Sequence, residues 1–125
     1  MDWQPITESQ IWDRILQAEA RMNPEQSRLW SAIKILPQKW QQTPYGTEGN
    51  GFWVVAILGE LVLWFNDIED GFNVSRYKNH GEIEEYWCNQ DELEWAVQSL
   101  LNLIQQGYTL PKCSPPIAGE YGADT

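Results

Sequence analysis

A chain of 125 residues, 42% apolar and 13% aromatic, has enough hydrophobic surface for one packed domain and too much to remain disordered. Its net charge of −10 opposes binding to nucleic-acid phosphates, which need Lys and Arg. Two cysteines, Cys88 and Cys113, make neither a disulfide framework nor a metal-ligand spacing, and no apolar run approaches the length of a membrane span.

The first ten residues, MDWQPITESQ, lack a basic region followed by an apolar stretch. The expectation is a cytoplasmic protein without a signal peptide, with reduced thiols and no membrane contact. Thr7 and Gln10 form a T-x-x-Q capping box, and a helix over 8–22 places Ile11, Ile15, Ala18 and Met22 on one stripe. Asn23 then caps a second helix with Pro24 at its first position. That helix is expected to reach about Leu36, with Leu29, Trp30, Ile33 and Leu36 inward, and to be stopped by Pro37. Residues 41–51, QQTPYGTEGNG, read as a loop.

FWVVAIL, 52–58, and LVLWF, 61–65, are strands joined by a two-residue Gly59-Glu60 turn. Neither alternates, so both faces of this hairpin should be covered. The helix pair covers one. The C-terminal helix, the aromatic tail or a second copy of the chain covers the other. A third strand over 72–77 alternates, with Phe72 and Val74 on one face and Asn73 and Ser75 on the other. After a KNHG turn, a fourth strand over 82–87 is expected at the sheet edge, where its charges oppose aggregation. Asn89 reads as the N-cap of the last helix with Glu92 at its third position, and Gly107 as its C-terminal stop. The fold class is therefore α+β: two N-terminal helices, a four-stranded antiparallel meander and one C-terminal helix. It forms a single domain over 1–110, followed by an irregular tail over 111–125.

The stretch LWFNDIEDGFNVSRY, 63–77, breaks from an apolar strand into acids and back. As an EF-hand loop it fails: with Gly71 sixth, Ile68 falls third and Tyr77 twelfth, where oxygen ligands are needed. The favoured reading is a hairpin turn in which Asn and Asp bond nearby backbone N–H groups and Gly71 supplies a positive φ. Glu82 and Glu84 share one face and one solvent environment, unlike a general acid–base pair. His80 is the only histidine, and Cys88 precedes a helix start that would favour its thiolate. No phosphate-binding glycine loop, HExxH or paired CxxC is present. The chemistry points to no catalytic residue, no metal ligand and no cofactor.

The charge is uneven. Residues 1–59 carry six acids and five bases (−1), residues 60–94 ten acids and two bases (−8), and residues 95–125 two acids and one base (−1). Trp53, Trp64, Phe52, Phe65 and Phe72 crowd adjoining strands and are read first as core, second as an aromatic face for a partner.

The segment WVVAI…LVLWFNDIEDGFNVSRY…GEIEEYWCNQDELEWAV, 53–97, resembles a recurrent pattern in small bacterial proteins of unassigned function. That resemblance implies a shared hairpin and helix start and carries no activity, cofactor or site residue. In its size and acidity the chain is also similar in style to bacterial immunity proteins, which bind and block toxins. The expected function is an acidic protein-interaction module for a basic protein or a second copy of itself. Asp67, Glu69, Asp70, Glu82, Glu84, Trp64 and Trp87 are its candidate binding residues. The first alternative is a small-molecule or cation-binding domain, with its pocket between the 41–51 loop and the 66–73 turn. The second is an enzyme using Cys88 or the acidic cluster.

Overall fold

A computed structural model of the chain describes residues 3–47, 49–107 and 114. Cys113 and all of the expected tail except Ser114 lie outside the described residues. Helix α1 spans Glu8–Arg21 and α2 spans Pro24–Ile33. Strands β1 (Lys34–Trp40), β2 (Phe52–Leu58), β3 (Leu61–Asn66) and β4 (Gly71–Arg76) follow, and α3 (Leu93–Gln106) ends the order. The sheet is an antiparallel meander, β1-β2-β3-β4, so the α+β class and the flanking helices are as the sequence implies.

Both N-terminal helices open on full capping boxes. Thr7 and Gln10 cap α1, and Asn23 and Gln26 cap α2 with Pro24 in the first turn. Gly107 closes α3 in the left-handed conformation at φ +81°. Gly59, at φ +58°, makes the tight β2–β3 turn that pairs Leu58 with Leu61.

The identity of the outer strands differs from expectation. Residues 34–40 leave α2 at Ile33 and form β1 rather than a helical extension. Pro37 disfavours the helical region for Leu36, and β1 lies at the sheet edge, where a proline is tolerated. Residues 82–87 are not a strand. They form no ladder with the sheet, and their backbone meets it at separate points, among them a Gln41–Glu82 bridge beside β1 and a Glu84 N–H bond to the Arg76 carbonyl beside β4. The α3 N-cap is Glu92, not Asn89. Asn89 is held elsewhere: its backbone N–H donates to Asn73 Oδ1 at 2.8 Å and its amide to Asp91 Oδ2 at 3.1 Å.

Both sheet faces are buried, one by the expected helix pair and the other by a cover that was not expected. All three helices lie on one face. Ile11, Ile15 and Ala18 of α1, Trp30 and Ile33 of α2, and Leu93, Val97 and Leu100 of α3 meet Val55, Leu63, Phe65, Phe72 and Val74. Each fully buried large aliphatic there contributes about 2 kcal/mol. The second face is covered by the 77–91 segment, here termed the strap. Beneath it lies an aromatic layer of Trp40, Phe52 and Trp64 with Val54, Val62 and Ile83, flanked by Tyr77 and Tyr86. Tyr77 meets the Trp40 ring edge-on at 5.1 Å, and Tyr45 of the 41–51 loop stacks on Tyr86 at 3.9 Å.

Buried polar side chains fix the strap. Asn73 Nδ2 donates to Asn89 O at 3.1 Å, completing a two-way clasp with the Asn89 N–H bond. Asn66 Nδ2 donates to Trp87 O, and Phe72 N–H to Asp91 O. Gly71 lies at this crossing. A Cβ there would overlap Asn89 O and Gln90 Cα. The positive φ of the turn belongs to Asp70 (φ +61°) and not to Gly71, so Gly71 serves close approach of two backbones.

Candidate functional site

The acidic segment separates into two sets. One set faces the helices and is tied into the fold. Asp70 Oδ1 pairs with Arg14 Nη2 at 2.7 Å, and the Arg14 guanidinium lies over the Phe65 ring. Arg21 clasps Glu94 through Nε and Nη2 and reaches Glu92 at 3.2 Å. Burial pushes the Glu94 carboxyl up, but the Arg21 hydrogen bond, a backbone N–H and the Arg21 charge together hold it below its ordinary value. Asp67 turns inward, where its Oδ2 accepts the Ile6 N–H at 2.8 Å. Burial raises its pKa, opposed by that bond and by the charge of Lys39. Its Oδ1 is buried with no hydrogen-bond partner.

The turn at 67–70 thus has a structural cause. Asn66 Oδ1 accepts the N–H groups of Ile68 and Glu69, as its side chain suggests. Asp67 and Asp70 leave it in different directions, to Ile6 and to Arg14. Glu69 is half-buried, and its carbonyl accepts from Gln90 Nε2. Among the described residues, no three His, Cys, Asp or Glu side chains form a group that could hold a metal ion.

The space between the 41–51 loop and the 66–73 turn is taken by the chain's own N-terminal segment. Trp3 Nε1 donates to Asp67 O, its ring lies against Gly49, and Trp53 Nε1 donates to Ile6 O. Lys39 Nζ donates to Gly49 O at 2.6 Å.

The second set of acids faces out. Glu82 and Glu84 are exposed on the strap, and Lys78 approaches Glu84 at 3.5 Å. Among the described residues, Glu60, Glu69, Glu82 and Glu85 have no Lys or Arg within salt-bridge distance. Glu60, Glu84 and Glu85 line an open cleft of about 580 Å³ with Arg76, Tyr77 and Lys78. The β3–β4 register builds it. Leu61 pairs with Arg76, so the Glu60 carbonyl accepts the Tyr77 N–H, and Tyr77 Oη donates to Gly59 O at 2.9 Å. Glu85 Oε1 accepts the Arg76 N–H at 3.0 Å, which fixes that carboxylate at the wall.

Of the aromatic candidates, Trp64 is fully buried (0% exposed), with its indole N–H on Ser75 Oγ, and cannot touch a partner in this fold. Trp87 is half-buried, with its Nε1 near Glu85 Oε1 at 3.4 Å. Only Glu84 of the sequence candidates lines the cleft. Glu60, Arg76, Tyr77 and Glu85 were missed, although the two-residue turn and a continuous β3–β4 register together would have placed Glu60 beside Arg76.

The two groups considered for nucleophilic chemistry have aromatic neighbours. His80 packs on the Trp40 ring at 4.7 Å, and Cys88 lies beside the Tyr86 phenol, whose pKa burial pushes up to about 12. Among the described residues, no helix is long and apolar enough to cross a membrane. Comparison with protein-family models, curated proteins and solved structures finds no match to this chain.

Proposed function

We propose that this protein is a non-catalytic, acidic protein-interaction module whose partner is basic. The observation that carries the reading is the sorting of its acids. Asp67, Asp70, Glu92 and Glu94 are engaged by the helices and the N-terminal segment, whereas on the strap side Glu60 and Glu82 have no base within salt-bridge distance, beside Glu84, which pairs with Lys78, and Glu85, which accepts the Arg76 N–H. Uncompensated surface charge of one sign speeds encounter with a partner of the other and weakens with salt. It gives little to folding, so a strap side that carries four acids against two bases supports a recognition role.

The test separates placement from net charge. A labelled basic peptide is titrated against the wild type, against Glu60→Gln/Glu82→Gln, and against Asp13→Asn/Glu25→Gln. Both double variants lose two charges. The expected result is at least about a tenfold loss of affinity for the strap-side variant, with a shallower salt dependence, and a smaller loss for the other. Equal losses would show that only net charge matters and would reject the reading.

A further inference from the structure

The N-terminal segment 3–7 passes between the 66–70 turn and the 41–51 loop, touching Asp67 on one and Gly49 on the other. Trp3, Gln4, Pro5 and Thr7 are exposed, and Ile6 is half-buried. A few polar bonds hold the segment down. Ile6 N–H donates to Asp67 Oδ2 at 2.8 Å, Trp3 Nε1 donates to Asp67 O at 2.9 Å, and Ile6 O accepts from Trp53 Nε1 at 3.1 Å. Trp3 and Pro5 lie over Gly49, where a Cβ would come within 2.9 Å of the Trp3 ring. A segment with so little buried apolar surface opens locally while the rest of the domain stays folded. Thr7 is the pivot, because its capping bonds run to Gln10 inside α1 and survive when the segment lifts.

Closing the segment is costly at Asp67. Oδ2 has the Ile6 N–H, but Oδ1 is buried with no hydrogen-bond partner. An ionised carboxylate spreads its charge over both oxygens, so part of that charge is taken out of water with no donor to receive it. A proton on Oδ1 removes the charge and leaves Oδ2 a carbonyl oxygen that still accepts the Ile6 N–H. Among the described residues, the charge that faces Asp67 from a neighbouring element is Lys39 of β1. Trp3 and Ile6 of the segment, Trp53 of β2 and Gly49 of the loop bring none. Glu69 and Asp70 belong to the same turn, and Asp70 is paired with Arg14 of α1. Lys39, the Ile6 N–H and the backbone N–H of Asp67 favour the ionised form, yet burial outweighs them and lifts the carboxyl above its ordinary value.

Lifting the segment returns the carboxylate to water and removes that penalty. The closed form therefore binds the proton more tightly than the open one, and closure weakens as pH rises. We infer that residues 3–7 form an acid-closed latch, shut over the β3–β4 turn while Asp67 carries a proton and loosened when it ionises. Opening uncovers the Trp53 indole N–H, the Asp67 side chain and the Gly49 side of the loop together. The latch works through Asp67 and the N-terminal segment alone and needs no partner.

Native-state hydrogen exchange on the full chain between pH 4 and pH 7, with each amide corrected for its intrinsic rate, tests it. Protection of the Ile6 amide should fall at least about threefold across this range, while that of the Ile15 amide in α1 does not follow. Asp67→Asn cannot ionise and should hold Ile6 protection level over the same range. Trp3→Phe removes the indole donor but leaves Asp67 in place, so it should lower Ile6 protection at every pH and keep the fall. Constant Ile6 protection in the wild type, a fall that Ile15 shares, or an equal fall in Asp67→Asn would overturn the latch. So would a Trp3→Phe variant whose Ile6 protection matches the wild type throughout.

Discussion

Replacing Asn73 with alanine should loosen the strap from the sheet. Asn73 is 3% exposed, and its side chain makes three hydrogen bonds. Its Oδ1 takes the Asn89 N–H at 2.8 Å, and its Nδ2 reaches Asn89 O at 3.1 Å and Gly71 O at 3.3 Å. The two shorter bonds contribute about 1 kcal/mol each, and removing their partner from Asn89's backbone in a half-buried setting adds roughly 1 more, for a total of about 3 kcal/mol. A urea m-value of about 2 kcal/mol/M, ordinary for a domain of this size, converts that to a fall of about 1.5 M in the unfolding midpoint. Hydrogen exchange provides a second readout: the Phe72 amide, which donates to Asp91 O across the same crossing, should lose protection in step. A midpoint shift below about 0.5 M, with Phe72 still protected, would show that the aromatic layer alone holds the strap and that the asparagine clasp is incidental.

Gly71→Ala should be at least as damaging, about 3 kcal/mol or more by chemical denaturation, because the added methyl meets the Asn89 and Gln90 backbone rather than a movable side chain. An effect under 1 kcal/mol would mean the two backbones can separate freely. Two carboxylates should shape the acid end of the stability profile in opposite senses. The folded pKa of Asp67 is raised above its ordinary 3.8, so its contribution is present at low pH and is lost as pH rises through the folded value. Urea midpoints of Asp67→Asn should therefore gain on wild type between pH 4 and pH 7, and a constant difference would refute this. The folded pKa of Glu94 is lowered from 4.5, so its contribution is present above that pH and is lost as pH falls through the folded value. Glu94→Gln should be destabilising at pH 7, with the gap closing toward pH 3, and a gap that widens on acidification would exclude the Arg21 clasp as its cause.

The elements most legible in the sequence are those fixed by neighbours a few residues away. Thr7 with Gln10, Asn23 with Gln26, Gly59 and Gly107 each satisfy a local backbone requirement, and each does so in the structure. The misread elements are those settled by distant contacts. Ile33 and Leu36 fit a helical stripe, yet Pro37 and pairing with β2 draw residues 34–40 into the sheet. The period-two pattern of 82–87 is genuine, but its residues bridge to β1 and to β4 at separate points and cover rings instead of forming a ladder. The Asn-x-x-Glu signal at 89–92 is overridden because Asn89 bonds Asn73, sixteen residues earlier. Part of the acidic surface was visible as a charge block. Its division into engaged and outward carboxylates was not, since that depends on Arg14 and Arg21, contributed by α1 from more than fifty residues away.

Spatial order equals chain order throughout the β-meander. β3 and β4 can therefore each zip onto the preceding strand across a tight turn, at 59–60 and 67–70, with little loop-closure entropy, while β2 joins β1 across the longer 41–51 loop. The strap must wait, because its anchoring points at Gln41, Asn66 and Asn73 belong to three separate parts of a sheet that has to exist first. Assembly of this chain accordingly has a natural last act, the shutting of a peptide flap over rings that until then face water.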